Sequence, residues 1–197
     1  VYSQKIKPVT CSAGAKFGSA ISAYNPYLLI GSPGYSSETG RVYLYSRNPS
    51  TGQYRNPLSS SSDLIFSGFS AGEKFGKSIS ISGDYFIVGS PGKTNNIGQV
   101  KVYSYSRDLN TVTNIQTLTL SGGVSGDYFG DSVSIYSGFG YDQKLGFFAA
   151  GAPGRNTGVG QVAVYRFNGS IFSDQILLPK SGSESLTSFG FGSSVSL

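Results

Sequence analysis

The sequence predicts an all-β fold: a β-propeller of four-stranded antiparallel blades, with three complete blades and partial blades at both ends. Three observations carry this expectation. A set of landmarks recurs along the chain. The segments between landmarks read as short strands that are apolar on both faces. The composition, 28 Gly, 14 Tyr and 13 Phe in 197 residues with no Met, Trp or His, suits strands joined by tight turns and leaves little for helices.

The first landmark is Phe-Gly-x-[Ser/Ala]-[Ile/Val]-Ser, beginning at Phe17-Gly18, Phe75-Gly76, Phe129-Gly130 and Phe191-Gly192, so the repeat steps are 58, 54 and 62 residues. The second is Gly31-Ser32-Pro33-Gly34, repeated around Pro91 and, with Ala for Ser, around Pro153. The third is Gly40-Arg41-Val42, Gly98-Gln99-Val100 and Gly160-Gln161-Val162. From the last Gly of the second landmark to the Gly of the third, the step is six residues in every copy, which marks a rigid connection.

Taken in order, Val1 to Thr10 opens with a Val-Tyr-Ser that echoes Val102-Tyr103-Ser104 and reads as the tail of an earlier repeat. Phe17 to Tyr24 has the period-2 pattern of a strand. After a turn at Asn25-Pro26, Tyr27 to Ile30 is continuously apolar, as a strand covered on both faces should be. Gly-Ser-Pro-Gly ends that strand, because Pro lacks an amide hydrogen and Gly accepts positive φ. Arg41 to Ser46 is the third strand, with Val42 and Leu44 on one face and Tyr43 and Tyr45 on the other. A fourth is expected at Asp63 to Phe66, with counterparts at Asn114 to Leu120 and Ser173 to Leu178. The first-to-second landmark step is 14 residues in two units and 22 in the third, which places an insertion at Tyr136 to Gly146. The expected divisions are a blade remnant 1–12, blades 13–70, 71–124 and 125–186, and the start of a next blade at 187–197.

A four-stranded sheet with two apolar faces is hidden only by lying against another such sheet, and a propeller does this in series. A stacked solenoid also has a period, but its coils run to about 20–30 residues, shorter than these units.

The formal charge of +5 comes from Lys and Arg scattered singly, which excludes a nucleic-acid patch. No apolar run approaches the roughly 18 residues of a membrane helix. The chain has neither a signal-peptide pattern nor an initial Met, and is expected to be part of a longer precursor. Cys11 has no partner for an internal disulfide and is expected to be a buried thiol. Without His, the Ser-His and Cys-His pairs that activate nucleophiles are absent, so no catalytic residue is expected. Glu73, Asp127, Asp131 and Asp174 show no spacing that asks for a carboxylate pair, and Glu73 and Asp127 read as solvated loop charges. Gly138-Phe139-Gly140 lacks the strand-to-helix setting of a phosphate loop.

The run Phe-Gly-x-Ser-[Ile/Val]-Ser, Ser-Gly-Asp-Tyr-Phe-Ile-Val-Gly-Ser-Pro-Gly and Gly-Gln-Val-x-Val-Tyr resembles the FG-GAP repeat, the blade unit of the integrin α-subunit head and of many extracellular propeller proteins. The resemblance covers nearly the whole chain. It implies an adhesive or assembly surface outside the cell, with Phe17, Phe75, Phe129 and Phe191 wedged between blades. It also implies that Gly18, Gly76, Gly130 and Gly192 allow close backbone approach near the hub. Integrin-like blades often carry a calcium loop in the hairpin before the Gly-Ala-Pro strand. The matching segments here, residues 23–26, 82–85 and 136–146, hold one acid at most, so no metal or other cofactor is expected. Asp84 is read as a backbone cap and Asp142 as isolated.

Two features remain as site candidates. Asn168-Gly169-Ser170 is an N-glycosylation sequon in an expected hairpin turn. The aromatic residues Tyr136, Phe139 and Tyr141 of the long insertion are the expected partner contact. The leading expectation is a non-catalytic extracellular or cell-surface segment acting in adhesion or as a subunit of a larger assembly or filament, with other chains or further blades as partners. A glycan-binding, lectin-like propeller and an accessory domain of a larger secreted enzyme are the alternatives.

Overall fold

The computed structural model describes residues 4–8, 12–55, 65–106, 111–137, 146–168, 170–179 and 190–197. The described residues form three antiparallel sheets. The first holds β1 (Ala20–Tyr24), β2 (Tyr27–Ser32), β3 (Arg41–Arg47) and a fourth position shared by two short pieces, β4 (Tyr54–Arg55) and β5 (Ile65–Ser67). The second holds β6 (Ser78–Ser82), β7 (Tyr85–Ser90), β8 (Gln99–Ser106) and β9 (Thr111–Leu118). The third holds β10 (Val133–Ser137), β11 (Gly146–Ala152), β12 (Gln161–Phe167) and β13 (Phe172–Pro179). Each is a meander in which neighbours in sequence are neighbours in the sheet, as tight hairpins dictate.

The alternation read from the third strand holds. Val42 and Leu44 join one apolar cluster with Phe75, Ile79, Phe86 and Val88 of the second sheet. Tyr43 and Tyr45 face the other way, toward Ile6, Phe17 and Tyr54. In the second sheet, Ile87, Val100 and Val102 pack on Phe129, Phe148 and Ala163 of the third. The sheets are therefore stacked face to face in series, a β-propeller-like arrangement. Cross-strand aromatic stacks recur within them: Phe86 on Tyr103 at 4.9 Å and Phe148 on Tyr165 at 4.5 Å between ring centroids.

Several local expectations change. The first strand starts at Ala20, not Phe17, because residues 16–19 form a turn in which Ser19 N donates to Lys16 O at 3.2 Å. The described part of the fourth strand of unit one begins at Ile65, its counterparts span Thr111–Leu118 and Phe172–Pro179, and Asp63 lies outside the described residues. After each second landmark comes a helical turn, Tyr35–Glu38, Lys93–Asn96 and Arg155–Gly158, whose inner residues are left-handed: Ser36 and Ser37, Thr94 and Asn95, Asn156 and Thr157 all have φ between 49° and 59°. Gly40, Gly98 and Gly160 close these turns by donating N–H to the carbonyls of Tyr35, Lys93 and Arg155. This is the physical content of the constant six-residue step.

The opening Val1-Tyr2-Ser3 and Cys11 lie outside the described residues. Gln4, however, accepts from Tyr54 N at 2.8 Å and donates to Tyr54 O at 2.7 Å, and Gln116 does the same to Phe172 at 2.8 and 2.7 Å. Gln4 precedes Phe17, and Gln116 precedes Phe129, by the same interval, so Gln4 matches an outer-strand position.

Candidate functional site

The joints between sheets are what the repeat builds. Phe75, Phe129 and Phe191 form parallel bridges to Gly40, Gly98 and Gly160 of the preceding unit. Their N–H groups donate to the carbonyls of Thr39, Ile97 and Val159. Phe75 and Phe129 are fully buried between sheets, as a wedge should be. A Cβ on Gly76 would stand 2.7 Å from Val42 Cγ2 and 2.8 Å from Arg41 O, so close approach is real at this position. At Gly18 nothing lies within 4 Å of that point, and Phe17 is only half-buried. Pro33, Pro91 and Pro153 sit at the ends of β2, β7 and β11, where they stop the ladder.

Seryl hydroxyls stitch the first strands together. Ser22 Oγ accepts from Ile81 N, Ser80 Oγ from Ile135 N and Ser134 Oγ from Leu197 N, each at 3.1 Å. Ser78 and Ser132 donate to the carbonyls of Gly130 and Gly192 at 2.7 Å. Each serine satisfies a main-chain group of the next unit that no ladder reaches.

Glu73 and Asp127 are not solvated loop charges. Both are 1% exposed. Glu73 Oε2 accepts from Phe69 N at 2.9 Å, Ser70 N at 3.1 Å and Lys93 Nζ at 3.1 Å. Asp127 Oδ2 accepts from Val124 N at 2.8 Å and Arg155 Nη1 at 2.7 Å. The loops before Phe75-Gly76 and Phe129-Gly130 fold their acids inward because two or three donors converge on each, which offsets desolvation. In the first unit the same two positions hold Ala15 and Tyr35, so acid and base are absent together.

Between the first and second sheets lies a cleft of about 660 Å³, lined among others by Phe66, Phe69, Lys93, Lys101 and Tyr103. Desolvation lowers the Lys101 pKa, opposed by Glu73 and reinforced by Lys93. Burial, with a side-chain hydrogen bond from Asn114 opposing, pushes the Tyr103 hydroxyl up to about 12. None of these residues stood out from the sequence except Glu73. The available signal was Lys101 interrupting an apolar run.

Of the predicted site residues, Asn168 is exposed in the hairpin between β12 and β13. Its Oδ1 accepts from Ser170 N and Ile171 N at 3.1 Å, as Asn48 Oδ1 does from Ser50 N at 2.8 Å in the first sheet. Tyr136 is exposed at the end of β10, while Phe139, Tyr141 and Asp142 lie outside the described residues. Asp84 is exposed in the β6–β7 turn, and its carbonyl accepts from Tyr105 N at 2.8 Å. Among the described residues no three His, Cys, Asp or Glu converge as a metal site, and no helix is long and apolar enough to cross a membrane.

No curated protein sequence matches this chain. Among solved structures it is similar to the GH43 endo-arabinanase from Bacillus licheniformis, with a TM-score of 0.40 and 15% identity, over 83% of this chain and 59% of that one. The family model for the FG-GAP repeat matches residues 59–103, the stretch from the fourth strand of the first sheet through the joint and into β8. Residues 59–103 are thus similar to an FG-GAP repeat, and the bridge that Phe75 makes within them recurs at Phe129 and Phe191.

Proposed function

We propose that this chain is a non-catalytic segment of a β-propeller that works outside the cell, in adhesion or as a structural subunit of a larger surface assembly. In this reading each sheet is a blade, and the two end faces take up further blades, from the same precursor or from other chains.

One observation carries it. Ile21, Ile79 and Val133 occupy the same place in the three units, yet Ile21 is 62% exposed where the other two are 8%. The missing cover is the sheet that would precede the first. At the far end, Phe147, Val164, Arg166 and Ile176 line an open groove of about 520 Å³, and Ile176 and Leu178 are exposed. Exposed apolar sheet faces favour association. The non-catalytic half rests on Glu73 and Asp127, whose Oε2 and Oδ2 are engaged by ion pairs and main-chain donors. Asn168, on an exposed turn, is the proposed glycosylation site.

Multi-angle light scattering tests this. The isolated chain is expected to associate as its concentration rises, and Ile21→Asp with Ile176→Lys should return it to a monomer with an unchanged near-UV circular dichroism spectrum. A chain that stays monomeric and binds no hydrophobic dye overturns the reading.

A further inference from the structure

The cleft at the first joint departs from the repeat. Lys101 lies three residues past the Gly of the third landmark, where the first sheet has Tyr43 and the third has Ala163. Phe69 precedes Glu73 by four residues, where Gly123 precedes Asp127. The second joint closes without either, so neither is required by the architecture.

Lys101 is 7% exposed and makes no hydrogen bond or ion pair among the described residues. Its ammonium stands 4.3 Å from the Phe69 ring centroid and 5.5 Å from that of Phe75. Aromatic faces attract a cation but do not replace a counter-ion for one on a largely buried side chain. The neighbouring carboxylate is already engaged: Glu73 Oε2 takes Lys93 and two main-chain donors, and its buried Oε1 has no partner. Glu73, Lys93 and Lys101 together leave one positive charge at the cleft wall. Around it stand Phe66 and Tyr103, with their ring centroids 5.3 Å apart, and Phe69, 80% exposed.

We propose that this cleft binds a small ligand carrying one carboxylate beside an apolar body, the carboxylate pairing with Lys101 and the body lying against Phe66, Phe69 and Tyr103. A single negative charge balances the wall, whereas a phosphate dianion would leave an excess charge in a desolvated place. An exposed Phe at the mouth of an apolar cleft that holds a few polar groups is the arrangement small-molecule sites use. This assignment does not depend on what covers the end faces, and ligand binding is read separately from association.

Calorimetric titration of the 197-residue chain with phenylacetate is the test. Saturable one-site binding is expected, and Lys101→Met should weaken it by about tenfold or more. Lys16→Met, on another part of the surface, should leave it unchanged. Benzyl alcohol, which lacks the charge, and inorganic phosphate, which lacks the body, should each bind about tenfold more weakly or worse. The wild-type chain supplies a readout that needs no variant. The charged or titratable groups facing Lys101 are Glu73, Lys93 and Tyr103, the last keeping its proton to about pH 12. Phenylacetate affinity should therefore begin to fall before the pH reaches the ordinary lysine value of 10.5. Absence of saturable binding, equal affinity in Lys101→Met, phosphate or benzyl alcohol matching phenylacetate, or an affinity unchanged up to about pH 10.5 would each overturn the assignment. Glucuronate displacing phenylacetate at lower concentration would overturn its apolar half.

Discussion

Tyr45 shows what it costs to make both faces of a strand apolar with a residue that carries a hydroxyl. It is 1% exposed, and its buried oxygen has no hydrogen-bond partner. Burial, with a smaller contribution from Tyr43, raises its pKa from 10.0 to about 12. A raised folded pKa means stability that is fully present below pH 10 and is lost as pH climbs toward 12, because the unfolded chain gives up the proton first. Tyr45→Phe is expected to stabilise the protein by about 1 kcal/mol at neutral pH and to blunt its alkaline loss. Urea unfolding at neutral pH and near about pH 11 checks both. The same residue marks how far sequence reading reaches. Alternation predicted the two faces of β3 correctly, since period 2 is a local property. The burial of Glu73 was not legible, because its partner Lys93 is 20 residues away and only the folded turn brings them to 3.1 Å.

At the scale of elements, the first strands of successive units are joined by serines rather than by a ladder. Ser80 Oγ accepts from Ile135 N across that joint at 3.1 Å. Ser80→Ala should cost about 1 kcal/mol, and faster amide exchange at Ile135 should accompany the loss. A substitution with neither effect would show that water replaces the hydroxyl. Ser22, Ser80, Ser134 and Ser196 all lie five residues after the Phe of the landmark, so the signal was present in the sequence; its meaning was hidden because the acceptor serves a different unit. The left-handed turns were less legible still. Ser36, Thr94 and Asn156 take φ near 50° without being glycine, and only the fixed spacing hinted at them. They are held there by the bonds that Gly40, Gly98 and Gly160 close.

For the whole molecule, Gly18 and Gly76 are the same landmark in two surroundings. Both have φ above 80°, so Ala at either site carries the cost of a left-handed backbone, about 1–2 kcal/mol. Only Gly76 also meets Val42 and Arg41 of another sheet. Gly76→Ala is therefore expected to be more destabilising than Gly18→Ala by about 2 kcal/mol, read as the difference in denaturation midpoints. Equal losses would mean that the sheets separate easily at this joint. The stacking itself was legible in the sequence, because Phe75 and Phe129 recur with apolar strands that have no other place to hide.

The bridges at Gly40, Gly98 and Gly160 are made of main chain alone. The contact is the same at all three although the residues after the glycine differ, Arg41 in one and Gln99 and Gln161 in the others. The bridge is therefore the same at each joint whatever side chains line the crevice beside it. Such a frame can carry a differently furnished recess at each step, and the Lys101 ammonium in the first of them is one such furnishing.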